Sequence, residues 1–143
     1  MPVNLIKDKI SSRKVTVLKD AGLIDYKKTA EYWFNLGYSY AENGLYDDAI
    51  EAYTKAIALD PNYAIAYYNR GITYDDKGQH DRAIEDYNRA IALDPNDATA
   101  YYNRGITYYK KGNMGRAISD FQKACDMGDE IGCKALKMAL ESR

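Results

Sequence analysis

The sequence of 143 residues has few of the features that mark several large classes of protein. It contains two cysteines, three prolines and one histidine, which is too little for a disulfide-rich scaffold, a proline-rich chain or a histidine-based metal centre. No apolar run approaches the ~20 residues that a membrane-spanning helix needs. Lys7, Asp8 and Lys9 stand where a secretory signal would have its apolar core. We therefore expect a cytoplasmic protein without membrane insertion.

An excess of charge of one sign is also missing. The formal net charge is −1, so nucleic acid is not an expected partner. The balance hides an asymmetry, because residues 1–28 carry seven Lys or Arg residues against three Asp residues, a net charge of +4 that leaves −5 for residues 29–143. The amino-terminal segment is thus basic and the remainder acidic.

The chain does contain one motif repeated at a spacing of 34 residues. YYNRGITY at 67–74 returns unchanged at 101–108, and the related WFNLGYSY stands one period earlier at 33–40. A fixed period of this length indicates an array of one supersecondary unit, in which each unit buries its apolar face against its neighbours. The copies span 30–63, 64–97 and 98–131, and we number the positions within each copy as columns.

Small and large residues recur in these columns in a pattern that predicts paired helices. Glycine fills columns 8 and 15, alanine fills columns 20 and 27, and a tyrosine or phenylalanine fills column 24 in all three copies. Each half of a copy has an apolar stripe at helical spacing, and the second glycine supplies a helix stop between the halves. Each copy is therefore predicted to be a helical hairpin, and the fold class to be all-α.

The same columns resemble the tetratricopeptide repeat family, whose pattern is W-x2-L-G-x2-Y, A-x3-F and P. In the first copy the matching residues are Trp33, Leu36, Gly37, Tyr40, Ala49, Tyr53, Ala56 and Pro61. The resemblance implies a right-handed superhelical solenoid of antiparallel hairpins over 29–129. Residues 130–143 have apolar residues at helical spacing, and we expect them to form a capping helix that solvates the last repeat.

The basic extension at 1–28 has apolar residues at helical spacing, among them Ile6, Ile10, Val15 and Leu18. One interpretation is an amino-terminal helix that caps the exposed face of the first repeat. A second is that this amphipathic segment docks into a repeat groove of its own or of a neighbouring chain. Disorder is the third alternative.

Cys125 and Cys133 both lie at the junction between the third hairpin and the final helix. An antiparallel crossing of the two helices would bring them close, and the surrounding string ACDMGDEIGC resembles cysteine-rich bacterial relatives of this repeat in which such a pair joins adjacent helices. The reducing cytosol instead favours free thiols that serve as small core residues. Free thiols are the favoured interpretation, and a disulfide is the alternative.

The sequence offers little catalytic chemistry. His80 falls beside a turn, where we expect it to pack or to lie at the surface. Asp75 and Asp76 are adjacent, so their side chains should diverge and be solvated. No phosphate-binding glycine loop, metal-spaced His/Cys cluster or nucleophile with a base is found. We predict no catalytic residue, no cofactor and no metal site, and hence no enzyme.

In the tetratricopeptide repeat family the first helix of each hairpin lines a concave groove, and the resemblance places twelve residues of this chain there. They are Phe34, Asn35, Tyr38, Glu42, Tyr68, Asn69, Ile72, Asp76, Tyr102, Asn103, Ile106 and Tyr109. The predicted groove is aromatic and apolar with an acidic middle.

The asparagines in this set recur every 34 residues, and two roles are open for them. Their amides suit the main chain of an extended peptide, because an amide both donates and accepts; alternatively, they tie one helix to the next. The rings are expected to contact a partner, with packing against their own repeat as the alternative.

Family members that grip a terminal carboxylate resemble this chain at Asn69 but need cations where it has Phe34, Thr99 and Asn103. The expected partner is therefore a protein or peptide that is apolar, aromatic or basic. The resulting hypothesis is a non-enzymatic adaptor that binds a peptide or helix in the groove. The alternative is a self-assembling scaffold, a homo-oligomer in which the amino-terminal extension or an end repeat packs on a neighbouring chain.

Overall fold

The computed structural model describes residues 29–143, and every regular element in that range is an α-helix. The seven helices are α1 (Ala30–Glu42), α2 (Tyr46–Leu59), α3 (Ala64–Asp76), α4 (His80–Leu93), α5 (Ala98–Lys110), α6 (Met114–Asp126) and α7 (Glu130–Glu141). They pair as the hairpins α1–α2, α3–α4 and α5–α6, and each hairpin stacks on the next. The structure thus confirms the all-α solenoid of helical hairpins. Residues 1–28, and with them the three interpretations of the basic extension, lie outside the described residues.

A glycine in a left-handed conformation ends the first helix of each hairpin. Gly44 has a φ of 74°; its N–H donates to the carbonyl of Ala41 at 3.0 Å, and the N–H of Leu45 donates to that of Tyr40 at 2.9 Å. This pair of bonds is a Schellman cap, which satisfies the last carbonyls of the helix and turns the chain back. The column-15 glycines of the other two copies also have a positive φ, so the periodic glycine sets the hairpin turn.

The core of each hairpin is a ring held over a glycine. The side chain of Tyr87 is 1% exposed, and a Cβ atom built on Gly71 would stand 2.9 Å from its ring. Gly105 has the same relation to Phe121 at 2.7 Å. Because such contacts are closer than a methyl group tolerates, the glycine in column 8 allows the two helices to approach.

Two arginines form an ion pair within their own hairpin and a hydrogen bond to the preceding one, and sequence analysis did not foresee these contacts. Arg70 donates two hydrogen bonds, of 2.7 and 2.8 Å, to the carboxylate of Asp86 in its own hairpin and a third, of 3.0 Å, to Thr54 Oγ1 in the preceding one. Arg104 repeats the arrangement one period later, with Asp120 at 2.9 and 2.7 Å and Asn88 at 2.8 Å. The bidentate geometry fixes each arginine between two repeats.

Helix α7 packs on α6 and stands beside α5, the place of the first helix of a fourth repeat. Gly132 allows a close approach, since a Cβ there would lie 2.7 Å from the Cβ of Ala124. Cys125 and Cys133 form a disulfide across this contact with a Cα–Cα distance of 4.4 Å. The structure therefore contradicts the favoured interpretation of free thiols, because the crossing of α6 and α7 brings the two side chains together.

The outer surface of α7 is less polar than a solvating helix would be. Ile131, Met138 and Leu140 are 58%, 70% and 46% exposed. A capping function of residues 130–143 stays a prediction.

Candidate functional site

The first helices of the hairpins, α1, α3 and α5, lie next to one another, and α7 continues the row. The family resemblance places the twelve groove residues on the first three of these helices, and we call the surface they form the groove. The contacts and exposure of these residues decide which of them are accessible to a partner.

The three rings in column 5 are partly used by the core. Each is inclined on the column-24 ring of its own hairpin, with centroid distances of 5.8 Å for Phe34 and Tyr53, 6.1 Å for Tyr68 and Tyr87, and 5.9 Å for Tyr102 and Phe121. These rings are half-buried. They contribute one edge to the groove and the other to the hairpin, which is the packing alternative that the sequence left open.

Two further rings are far more accessible. Tyr38 is 50% exposed and Tyr109 is 51% exposed. They lie on α1 and α5, near opposite ends of the row of first helices. As large side chains with little to lose in conformational entropy, they are the groove residues best placed to bury area against a partner.

The carboxyl-terminal end of the groove opens into an apolar cavity of about 350 Å³. Its walls are Tyr102, Ile106, Tyr109, Phe121, Ala135, Met138, Ala139 and Ser142. Three of these residues belong to α7 and Ser142 follows it directly, although the sequence alone predicts only a capping role for this helix. The apolar stripe of α7 was visible in the sequence, but its placement opposite α5 depends on how the last hairpin stacks.

Asn69 and Asn103, two of the three asparagines in column 6, use their amide groups within the protein. Asn103 Nδ2 donates to Tyr68 Oη in the preceding repeat at 2.8 Å and to the carbonyl of Thr99 at 3.0 Å. Asn69 Nδ2 donates to the carbonyl of Ile65 at 2.9 Å. Asn103 therefore ties one repeat to the next, and both of its amide protons are already engaged.

The acidic middle of the groove differs from the expectation of solvated charges. The side chain of Asp75 is only 9% exposed; its Oδ1 lies 2.6 Å from His80 Nδ1 and its Oδ2 lies 2.5 Å from Lys110 Nζ in the next repeat. Burial alone would raise the pKa of Asp75, but the hydrogen bonds from Lys110 and His80 outweigh it and hold this pKa below its ordinary value. His80 is thus a partner of Asp75.

Asp76 is the exposed carboxylate of the pair. Burial of part of the group, and then the neighbouring charge of Asp75, raise the pKa of Asp76. Asp76 and Glu42 are the two charged residues among the twelve predicted groove residues, and both are acidic. The positive charge of nearby Lys110 is offset by its ion pair with Asp75.

Across residues 29–143, no group of three or more His, Cys, Asp and Glu side chains is arranged to hold a metal ion. None of the helices in this range is long and apolar enough to cross a membrane.

Comparison with known families places this geometry in context. A model described as TPR repeat matches residues 73–112, and two models described as Tetratricopeptide repeat match residues 30–63 with 98–127 and residues 52–85. The matches together run without a gap from 30 to 127. The chain belongs to the tetratricopeptide repeat family. A comparison with curated protein sequences found no match.

Solved structures of similar shape include tetratricopeptide repeat domains. The first such domain of Spaghetti (RPAP3), bound to the HSP90 peptide SRMEEVD, is 26% identical with a TM-score of 0.76, over 83% of this chain and 95% of that one. MamA is 33% identical with a TM-score of 0.71, over 80% and 74% of the two chains. The Sgt2 domain of Aspergillus fumigatus is 26% identical with a TM-score of 0.70, over 79% and 75%.

Proposed function

We propose that this tetratricopeptide repeat protein is a non-enzymatic adaptor that binds an extended peptide or a helix along its groove. The observation that carries the proposal is the run from exposed Tyr38 to exposed Tyr109, which ends in the apolar cavity between α5 and α7. A concave, mostly apolar site with a few polar groups is the usual form of a binding site. The peptide bound to the Spaghetti domain supports a partner of the same general kind.

The charge of the groove argues for a different peptide chemistry from that of SRMEEVD. That peptide is acidic, whereas Glu42 and Asp76 give this groove negative charge. Arg70 and Arg104 pair with Asp86 and Asp120, so their charges are not available to a peptide. Phe34, Thr99 and Asn103 occupy the positions where carboxylate-binding members of the family have cations. The groove therefore offers no cation to an acidic peptide at these positions. We infer a partner with apolar or aromatic side chains and a net positive charge.

The test is selection from a random peptide library with the full chain as bait. Selected peptides should be enriched in aromatic or aliphatic residues together with Lys or Arg, and depleted in Asp and Glu. Tyr38→Ala with Tyr109→Ala should lower the affinity for a selected peptide at least about tenfold, because tyrosines are enriched among the interface hot spots, whose truncation costs about 2 kcal/mol or more.

Ile131→Ala is the matched control, because Ile131 is 58% exposed but outside the cavity lining. It should leave the affinity unchanged. Enrichment of acidic peptides, or equal losses in the control and the double variant, would contradict the groove proposal.

Self-assembly is the second candidate, and the exposed apolar residues of α7 favour it. A mass that rises with protein concentration in light scattering, and that returns to the monomer in Ile131→Ala with Met138→Ala, would support it. A constant monomer mass would exclude it.

Cytoplasmic localisation stays a prediction of the sequence. Disulfides persist mainly in oxidising compartments, so chemical trapping of Cys125 and Cys133 as free thiols in intact cells would support it, and trapping of the disulfide would contradict it.

A further inference from the structure

The apolar cavity between α5 and α7 lies where α7 departs from the pattern of the other first helices. Counted from the first residue of each helix, the third and tenth residues are buried in both: Ala100 and Thr107 in α5, and Gly132 and Ala139 in α7. Each of the two helices also stands beside the first helix of the preceding repeat. Equivalent positions of α5 and α7 therefore have equivalent surroundings.

The sixth position is where the two helices differ. In α5 it is Asn103, whose Nδ2 donates to Tyr68 Oη of the preceding repeat at 2.8 Å. In α7 it is Ala135, which lines the cavity and has no side-chain donor. Tyr102 is the counterpart of Tyr68 one period later and lines the same cavity. Within residues 29–143, Tyr102 Oη makes no hydrogen bond.

The start of the array lacks the same bond for a different reason. Phe34 has no hydroxyl at the position of Tyr68, and the amide of Asn69 donates to the carbonyl of Ile65 on its own helix. A bond between repeats forms where column 5 carries a hydroxyl and the next repeat an amide. At the last repeat the hydroxyl of Tyr102 is kept, and a methyl group replaces the amide.

The rest of the cavity is apolar and uncharged. Among its lining residues the other polar side chains are Tyr109 and Ser142, and Ser142 Oγ donates to the carbonyl of Ala139 at 3.0 Å. The volume of about 350 Å³ is in the range of sites that bind small organic groups. A charged side chain would lose its hydration there without gaining a partner. The lining thus favours an uncharged occupant with a large apolar body.

We propose that this cavity is the anchor site for a tryptophan of the bound peptide, whose indole N–H donates to Tyr102 Oη. The proposal rests on the adaptor function above and names the residue that the partner inserts. An indole combines a large apolar ring with a single N–H donor, so it supplies the donor that α7 lacks. The basic residues of the partner then face Glu42 and Asp76, which lie outside the cavity lining.

Met138 is suited to cover the inserted ring. Its side chain lines the cavity but is 70% exposed. An unbranched thioether adapts its shape and makes favourable contacts with aromatic rings. Burial of Met138 on binding is therefore part of the expected complex.

The test uses N-acetyl-tryptophanamide as the probe and nuclear magnetic resonance of the full chain as the readout. The methyl signals of Ala135 and Met138 should shift saturably, whereas the indole signal of Trp33, on α1, should not move. The analogue methylated at the indole nitrogen has no donor and should bind about fivefold more weakly, which is the effect of one hydrogen bond.

Three variants locate the bond. Tyr102→Phe keeps a ring on Phe121, and should lower the affinity for the probe about fivefold and remove its advantage over the methylated analogue. Tyr101→Phe is the matched control, because Tyr101 is outside the cavity lining, and should leave the affinity unchanged. Ala135→Asn installs the asparagine of α5 and should lower the affinity at least about tenfold, because the new amide fills the cavity and occupies the Tyr102 hydroxyl.

Equal affinities of the unaltered protein for the probe and its methylated analogue would overturn the indole bond. No saturable shift at Ala135 and Met138, or shifts at Trp33 alone, would overturn the anchor site. Selected library peptides that lack tryptophan but depend on Tyr38 and Tyr109 would overturn this proposal and leave the adaptor function standing. If no peptide is selected, the adaptor function fails even where the probe binds, and the role for a peptide tryptophan fails with it.

Discussion

The buried pair of Arg104 and Asp120 permits a stability prediction for which the chain supplies its own reference. Asp120 has a side chain that is 6% exposed, and that of Arg104 is 20% exposed. Arg104→Leu leaves a buried carboxylate without its partner, which typically costs about 3–5 kcal/mol of unfolding free energy. The first repeat carries Leu36 and Ala52 at the same columns, so the fold accommodates an apolar pair there.

The double variant Arg104→Leu with Asp120→Ala copies the first repeat into the third. It removes the charge together with its partner, so we expect an unfolding free energy within about 1–2 kcal/mol of the unaltered protein. The coupling energy of the double-mutant cycle should then be at least about 2 kcal/mol. The loss of the hydrogen bond from Arg104 to Asn88 is common to both variants and does not affect their difference.

The assay is denaturant unfolding at neutral pH followed by circular dichroism, with midpoint and slope compared for all four proteins. An unchanged slope shows that the four proteins expose similar surface on unfolding. Coincident transitions by circular dichroism and tyrosine fluorescence justify treating each as two-state, which short repeat arrays do not always satisfy. A loss below about 1 kcal/mol for Arg104→Leu, or equal losses in the single and double variants, would refute the reasoning, since it rests on an uncompensated buried charge.

Two further predictions concern other contacts between helices. Because the pKa of Asp75 is lowered, its stabilising effect is complete above its ordinary value of 3.8 and is lost as the pH falls below it. The difference in unfolding free energy between the unaltered protein and Asp75→Asn should therefore narrow below that pH. A stability difference that narrows already well above pH 3.8 would contradict the lowered pKa of Asp75. Gly105→Ala places a methyl group 2.7 Å from Phe121. The overpacking cost of about 1–3 kcal/mol exceeds the helix-propensity gain of about 1 kcal/mol, so the thermal midpoint of this variant should fall. The control Gly115→Ala meets no atom closer than 4.0 Å, and its thermal midpoint should rise.

Most of the fold was predictable because the residues that determine each helical hairpin lie within one repeat. The glycine in column 15 needs a positive φ, and the glycine in column 8 meets a ring, so both are visible as periodic residues before any coordinates exist. The period itself implied stacking, and the family models agree with the span it predicted. Within one hairpin, spacing along the chain is enough to identify the partners.

The candidate site was less predictable, because its decisive contacts join residues about one period apart. The sequence predicts that Asp75 is solvated, but stacking of the repeats places Lys110 against it. The sequence likewise leaves the amide of Asn103 free to bind a peptide, but Tyr68 of the preceding repeat accepts a hydrogen bond from it. The apolar cavity likewise requires α7 to stand opposite α5. None of these partners is a sequence neighbour on the same helix face.

The sequence alone thus determined the repeat, the hairpin and the family, because these follow from periodic residue size and backbone freedom within 34 positions. Only the tertiary structure decided which groove side chains remain accessible, which charges are neutralised and that Cys125 meets Cys133. Those properties depend on how far each hairpin is rotated against the next. That rotation arises from packing between repeats, which no single copy of the motif encodes.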